Sequence, residues 1–313
     1  MKIKTIPKYT VYLLLVLAAS IPLFIPIKMP NKPVDSSAAT FKALMTLEKG
    51  DTVLLGTDWT GSTRGESKAE LIAILRILMR KEVKFAMWSS ADAQSPRCAQ
   101  DVITEVNAMM KKEGSREYKQ WEDWVQAGFY PNSDVAINNV GQDVKKMFGP
   151  KRGTDLTGKL RSVMESPVLE KIQKIEDFKL VIDVTASKTS DFHVQFISSH
   201  KVPMIFAVTG VMVPETDVYY NSGQIAGFLG GLKGVYDVEV MMDKGLNVPD
   251  KDGKIEVAST KITDQIAGFP GKDNTGSGSK YYPTLHFALA LMIILVFIGN
   301  LEMAMARKGA KNS

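Results

Sequence analysis

Residues 51–88 read DTVLLGTDWTGSTRGESKAELIAILRILMRKEVKFAMW, and their parsing decides the fold. Thr52–Gly56 is a short, continuous apolar run without the in–out alternation of a strand that has one wet face. It predicts a strand buried on both sides. A polar loop follows. Over Ser67–Arg80 the leucines at 71, 75 and 78 fall at helical spacing. Val83–Trp88 is a second strand-length apolar run. Two strands joined through a helix are expected to run parallel in one sheet, because the crossover needs a dozen or more residues whereas a hairpin needs only a tight turn.

The same alternation continues downstream. Ser95 and Pro96 mark the start of a helix reaching Lys112. Trp124–Phe129 is a weaker strand, followed by a helix over Val135–Phe148. Phe178–Val184 (FKLVIDV) is a strong strand with a short helix, Asp191–Ser199, behind it. Met204–Val208 is another strand, and a last helix is expected from Tyr219 to Met242. A helical stretch over Ala39–Glu48 precedes the series. Lys151–Val168 reads as a long surface excursion. Strands alternating with helices predict a parallel sheet covered on both faces. The expectation is one flavodoxin-like or Rossmann-like three-layer α/β domain, with a mostly parallel sheet of about five strands over residues 51–242.

The ends of the 313-residue chain differ from this middle. Residues 9–27 (YTVYLLLVLAASIPLFIPI) carry no charge and approach the ~20 apolar residues that a spanning helix needs. Pro22 and Pro26 are expected to kink or end that helix. The layout also suits a signal peptide with a cleavage region at Ala18-Ala19-Ser20. The apolar run continues past that point, so a retained anchor is expected. Residues 281–303 form a second apolar segment, with Tyr281 and Tyr282 at its edge and His286 one turn inside. Lys2, Lys4 and Lys8 precede the first segment, and Arg307, Lys308 and Lys311 follow the second. Basic residues also sit on the inner flanks at Lys28, Lys32, Lys272 and Lys280. The resulting bias is slight and favours both termini, residues 1–8 and 304–313, in the cytoplasm with the central domain outside. Residues 28–50 are read as a neck and leading helix. Residues 243–280, rich in Gly, Ser, Lys and Asp, are read as a flexible tether, with a short edge strand at Lys254–Ile262.

The formal charge is +5, but acids and bases are interspersed and no basic stripe with aromatics occurs, so no nucleic-acid partner is expected. The single cysteine, Cys98, excludes an intrachain disulfide and a cysteine-based zinc site. Phosphate-loop, GxGxxG, HExxH and GxSxG motifs are absent. No catalytic residue, metal ligand or cofactor is assigned; His193 and His200 are read as ordinary surface or capping histidines.

In an open parallel sheet, ligands bind beyond the carboxyl ends of the strands. The loops there select Asp58, Trp59, Thr60, Ser62, Thr63 and Arg64, then Ser90 and Asp92, then Asn132, then Thr185 and Ser187, as residues for a small polar ligand. Asp58 and Trp59 stand out, because they are the least typical of ordinary helix caps. Gly223, Gly227, Gly230, Gly231 and Gly234 lie in the expected last helix. Each glycine costs a helix about 1 kcal/mol relative to alanine. Their spacing therefore points to a close contact, either within the domain or at a subunit interface.

The functional expectation is a membrane-anchored, extracytoplasmic accessory or scaffold subunit that binds a partner protein or a small polar ligand. The expected partners are the lipid bilayer, a membrane protein or a second copy of the chain, and that ligand. The rivals are a membrane-bound hydrolase or transferase built around Asp58 and Ser62, and a ligand sensor coupled to a membrane partner.

Overall fold

The computed structural model describes residues 7–25, 27, 29–30 and 32–311. Lys2, Lys4, Pro26 and Lys28 lie outside the described residues. The chain forms two compact units, Asn31–Asn274 and the terminal segments Met1–Pro30 with Thr275–Ser313.

The larger unit opens with α2 (Asp35–Met45), after α1 (Lys8–Phe24) of the other unit. The series β1 (Thr52–Asp58), α3 (Arg64–Arg80), β2 (Lys84–Ser89), α4 (Ser95–Lys112) and β3 (Trp124–Phe129) follows. Next come α5 (Ser133–Gln142), α6 (Val144–Phe148) and a hairpin of β4 (Arg152–Thr154) and β5 (Leu160–Ser162). Then come β6 (Leu180–Thr185), α7 (Thr189–Ile197), β7 (Met204–Val208), α8 (Val213–Asn221), β8 (Gly227–Gly230) and α9 (Gly231–Lys244). The main sheet has six strands in the order β3-β2-β1-β6-β7-β8. Every pairing in it is parallel. Counting its strands by sequence, the order is 3-2-1-4-5-6, that of the Rossmann doubly wound sheet.

The unbroken apolar strands have the physical cause anticipated from the sequence, since both faces are dry. Val53, Leu55, Phe85 and Ile182 enter one core with α2, α3, α4 and α9. Leu54, Trp88, Val181 and Phe206 enter the other, with α5, α6 and α7. Helix α3 is enclosed from Ala69 to Met79, so its apolar residues face inward all round rather than on one stripe, with Glu70 and Arg76 buried among them. Burial of Leu71, Leu75 or Leu78 in it stabilises the fold by about 2 kcal/mol each.

Four expectations are corrected. The helix expected over Tyr219–Met242 is instead α8, a turn, the edge strand β8 and α9. The sheet therefore has a sixth strand, and the five glycines do not share a helical face. Gly227 lies against α2, where an added Cβ would come within 2.6 Å of the Thr40 amide nitrogen. Gly231 turns the chain into α9 with φ +53°, and Gly234 packs on the Leu229 backbone. Their smallness is thus used inside the domain, except at exposed Gly223.

The helix expected over 135–148 breaks at Asp143, whose extended backbone (φ −157°) ends α5 while its carboxylate accepts from the Lys146 N–H at 2.8 Å to start α6. No strand forms over Lys254–Ile262; only a single bridge links Pro249 and Ile255.

The flexible tether is, through Asn274, a bound strap. Leu246 and Ile266 exchange backbone hydrogen bonds of 2.8 and 2.9 Å. Arg80 holds Glu113 (2.6 Å), the Asn274 side chain (2.7 Å) and the Asp273 carbonyl (3.1 Å), and lies over the Phe269 ring. At the other end of the domain, the Val34 N–H donates to Asp237 at 3.0 Å.

In the smaller unit, α10 (Ser277–Lys311) contains Ser277–Met305, a segment long and apolar enough to cross a membrane. Helix α1 has 17 residues, a rise of roughly 26 Å, slightly short of a ~30 Å hydrocarbon core. The expectation of a first full span is therefore only partly met. The His286 ring bonds the Tyr282 carbonyl one turn earlier at 3.0 Å.

Candidate functional site

The strand order reverses between β1 and β6, since β1 leads outward to β2 and β3 while β6 leads to β7 and β8. The loops after β1 and β6 therefore diverge to opposite faces and leave a crevice at the carboxyl edge, where doubly wound sheets take ligands.

Asp58 ends β1 at the floor of this crevice and is 2% exposed. Its Oδ1 accepts from Ser89 Oγ (2.7 Å), the Ser90 N–H (2.7 Å) and the Ala91 N–H (2.9 Å), and Oδ2 accepts from Ser90 Oγ (3.3 Å). The carboxylate is thus a latch that holds the β2–α4 loop. Trp59 turns inward into the core, and its carbonyl accepts from Ser95 Oγ at 2.7 Å. The two residues that looked least like caps are both interior groups.

The exposed part of the first loop is Thr60–Glu66. Thr60 Oγ1 bonds Ser62 Oγ at 2.8 Å, and Thr63 Oγ1 donates to the Thr60 carbonyl at 3.3 Å, which shapes the start of α3. Arg64 is exposed, and no ion pair or hydrogen bond engages its guanidinium among the described residues. Asp92 accepts from the Gln94 N–H at 2.7 Å as a turn former. Asn132 has a left-handed backbone, φ 64°, and follows β3, two strands from the reversal. The structure therefore joins Asp58, Ser90, Thr185 and Ser187 at the crevice and leaves Asn132 outside it.

Across the crevice the β6–α7 loop carries a chain of hydroxyls. Ser187 Oγ lies 3.1 Å from Thr185 Oγ1, Thr189 Oγ1 lies 2.7 Å from Thr185 Oγ1, and Thr189 Oγ1 donates to Asp183 Oδ2 at 2.9 Å. Thr185 also donates to the Asp58 carbonyl at 3.3 Å, which ties the two loops together.

Below this chain, Asp183 and His193 are fully buried. His193 Nδ1 is 2.9 Å from the Thr189 carbonyl and 3.4 Å from Asp183 Oδ2. A carbonyl only accepts, so Nδ1 carries hydrogen. Asp183 pairs across the sheet with Gly56 on one side and Phe206 on the other, and Gly56 pairs in turn with Trp88. A Cβ on Gly56 would stand 2.7 Å from Asp183 Oδ1, so the glycine makes room for the carboxylate. Burial, with a contribution from the Asp58 charge, pushes the Asp183 pKa up to about 7, against the opposing pull of His193 and Thr189.

No family model matches the chain, and no curated protein matches it in sequence. Among solved structures, the N-terminal domain of Candida albicans trehalose-6-phosphate phosphatase is similar over 83% of this chain, with 12% identity and a TM-score of 0.30. This chain covers 45% of that one, and so loose a likeness carries no inference about activity.

Sequence reasoning left Asp183, Thr189, His193 and Glu70 out of the site. The first was signalled by a charge inside the apolar run LVIDV, and Thr189 and His193 by their four-residue spacing. Glu70 is a second buried acid, on α3; desolvation and the Glu66 charge push its pKa well above the usual carboxylate range, opposed by the Gly231 N–H. His200 pairs with Glu176 at 2.8 Å, after α7 has crossed back to the opposite edge of the sheet. Among the described residues, no group of three or more His, Cys, Asp or Glu side chains could hold a metal ion. Asp58 and Ser62 share no hydrogen bond among the described residues.

Proposed function

We propose that the chain is a membrane-anchored accessory subunit whose α/β domain lies outside the cytoplasm and binds a small polar ligand in the β1/β6 crevice. The observation that carries this reading is the reversal of strand order there. It sets Arg64 and the first turn of α3 on one flank and the Ser187 loop on the other. An unengaged guanidinium beside a helix N-terminus favours a ligand with an acidic group. The interior placement of Asp58 and His193 supports binding over catalysis, because neither presents a free base at the surface.

A thermal-shift screen of the detergent-solubilised full chain against small polar carboxylates and phosphate esters tests the proposal. A stabilising compound is expected, and its effect should vanish in the Arg64→Ala, Ser187→Ala double variant. A shift that survives both substitutions would move the site elsewhere, and a screen without any shift would overturn the ligand reading.

A further inference from the structure

The buried Asp183–His193 pair is not needed to shape a crevice, and its placement is costly. An ionised carboxylate in a dry core is disfavoured unless it is paired and hydrogen-bonded. Asp183 Oδ1 and His193 Nε2 have no hydrogen-bond partner among the described residues. Aromatic rings flank the pair. Trp88 of β2 and Phe206 of β7 both meet the His193 ring edge-on, with centroids 6.1 Å away. The titratable groups facing Asp183 are His193 from α7 and Asp58 from β1.

We propose that Asp183 stores a proton beneath the crevice, and that its uptake or loss redirects the Thr189 and Ser187 hydroxyls, which compete for Thr185 Oγ1. The physical sequence is short. Thr185 gives its one hydrogen to a carbonyl, of Ser187 at 3.0 Å or Asp58 at 3.3 Å, and accepts the Ser187 N–H at 2.9 Å, which leaves one lone pair for a neighbouring hydroxyl. With Asp183 ionised, Thr189 gives its hydrogen to Oδ2 and Ser187 Oγ donates to that lone pair, so Ser187 turns its own lone pairs to the crevice. A proton from solvent placed on Oδ2 makes Asp183 the donor. Thr189 then accepts it and donates to the free Thr185 lone pair, and Ser187 Oγ, displaced from that lone pair, turns its own hydrogen outward. No other bond is made or broken. The crevice would thus offer an acceptor above the transition and a donor below it. Its use by a ligand rests on the binding reading above, but the proton switch does not.

The pK shift of Asp183 places the transition near neutrality, at a value of about 7. Trp88 is a built-in reporter, because it contacts the His193 ring and stands across Gly56 from Asp183. The test is the pH dependence of Trp88 emission in the solubilised full chain between pH 5 and 9, taken as the difference from a Trp88→Phe variant. One step near pH 7 is expected. It should be lost in Asp183→Asn and kept in His200→Gln.

Thr189→Val, which removes a hydrogen bond to the ionised form, should raise the midpoint and keeps the test open if Asp183→Asn does not fold. Thr185→Val and Ser187→Ala touch neither Asp183 nor Trp88. By linkage they should still move the midpoint, by about half a pH unit for one net hydrogen bond. A flat profile, or a step that persists in Asp183→Asn, would overturn proton storage. An unmoved midpoint in both Thr185→Val and Ser187→Ala would overturn the relay. None of these outcomes depends on a ligand, so a failed ligand screen remains a separate result.

Discussion

Gly56 shows how much one residue can control. It sits in a central strand, where glycine has no backbone reason to be, yet its missing side chain is what admits the Asp183 carboxylate. Gly56→Ala should destabilise the domain by about 1–3 kcal/mol through overpacking. Urea denaturation would measure this, and the cost should shrink when Asp183 is also cut to alanine, because the two side chains compete for one space. An undiminished cost in the double variant would mean that the clash lies elsewhere.

Asp183 itself sets a pH dependence of definite sign. Its folded pKa, about 7, is above its value of 3.8 in the unfolded chain, so its contribution to stability is fully present below about pH 4 and is lost as pH rises toward 7. Asp183→Asn should flatten that part of the stability profile relative to the wild-type chain, as followed by denaturation at pH 5 and pH 8. In the sequence, Asp183 is visible as a charge in an apolar run. What faces it is not, since Gly56 and His193 lie 127 residues before and 10 residues after it in the chain.

The elements divide by where their signal lies. Strands β1, β2, β6 and β7 were legible because burial on both faces leaves apolar runs, α3 because Leu71, Leu75 and Leu78 fall at helical spacing, and α4 because Ser95 and Pro96 mark its start; all of these signals are written locally. Strand β8 was not legible. Four residues, two of them glycine, carry little strand signal, and the glycine spacing imitated a helix face. The strand exists because it pairs with β7 and because Gly227 lets α2 approach.

The strap is the reverse case. Its composition reads as flexible, but Arg80 anchors it from α3. Arg80→Ala should cost roughly 3 kcal/mol, since it leaves Glu113, 8% exposed in its side chain, without its partner. It should also make residues 245–274 sensitive to limited proteolysis under native conditions. A strap that stays resistant would show that Leu246, Asn247 and Ile266 suffice to hold it.

For the whole molecule, most of the leash expected from composition, residues 245–274, belongs to the compact domain, and the neck is likewise secured to it through Val34 and Asp237. The proposed topology predicts that a cysteine replacing exposed Lys251, with Cys98 changed to alanine, reacts with a membrane-impermeant maleimide in intact cells. Reaction only after permeabilisation would place the domain in the cytoplasm.

By itself the sequence determined the α/β class, the alternation that makes the sheet parallel and the apolar C-terminal segment. All of these are written in local periodicity and composition. Only the tertiary structure decided the strand order, the sixth strand, the binding of the strap and which polar residues face the crevice. Each of those depends on contacts between residues distant in sequence, and local patterns do not record them. Asp58 is the plainest instance, since its position at a strand end is local but its capture by the β2–α4 loop is not.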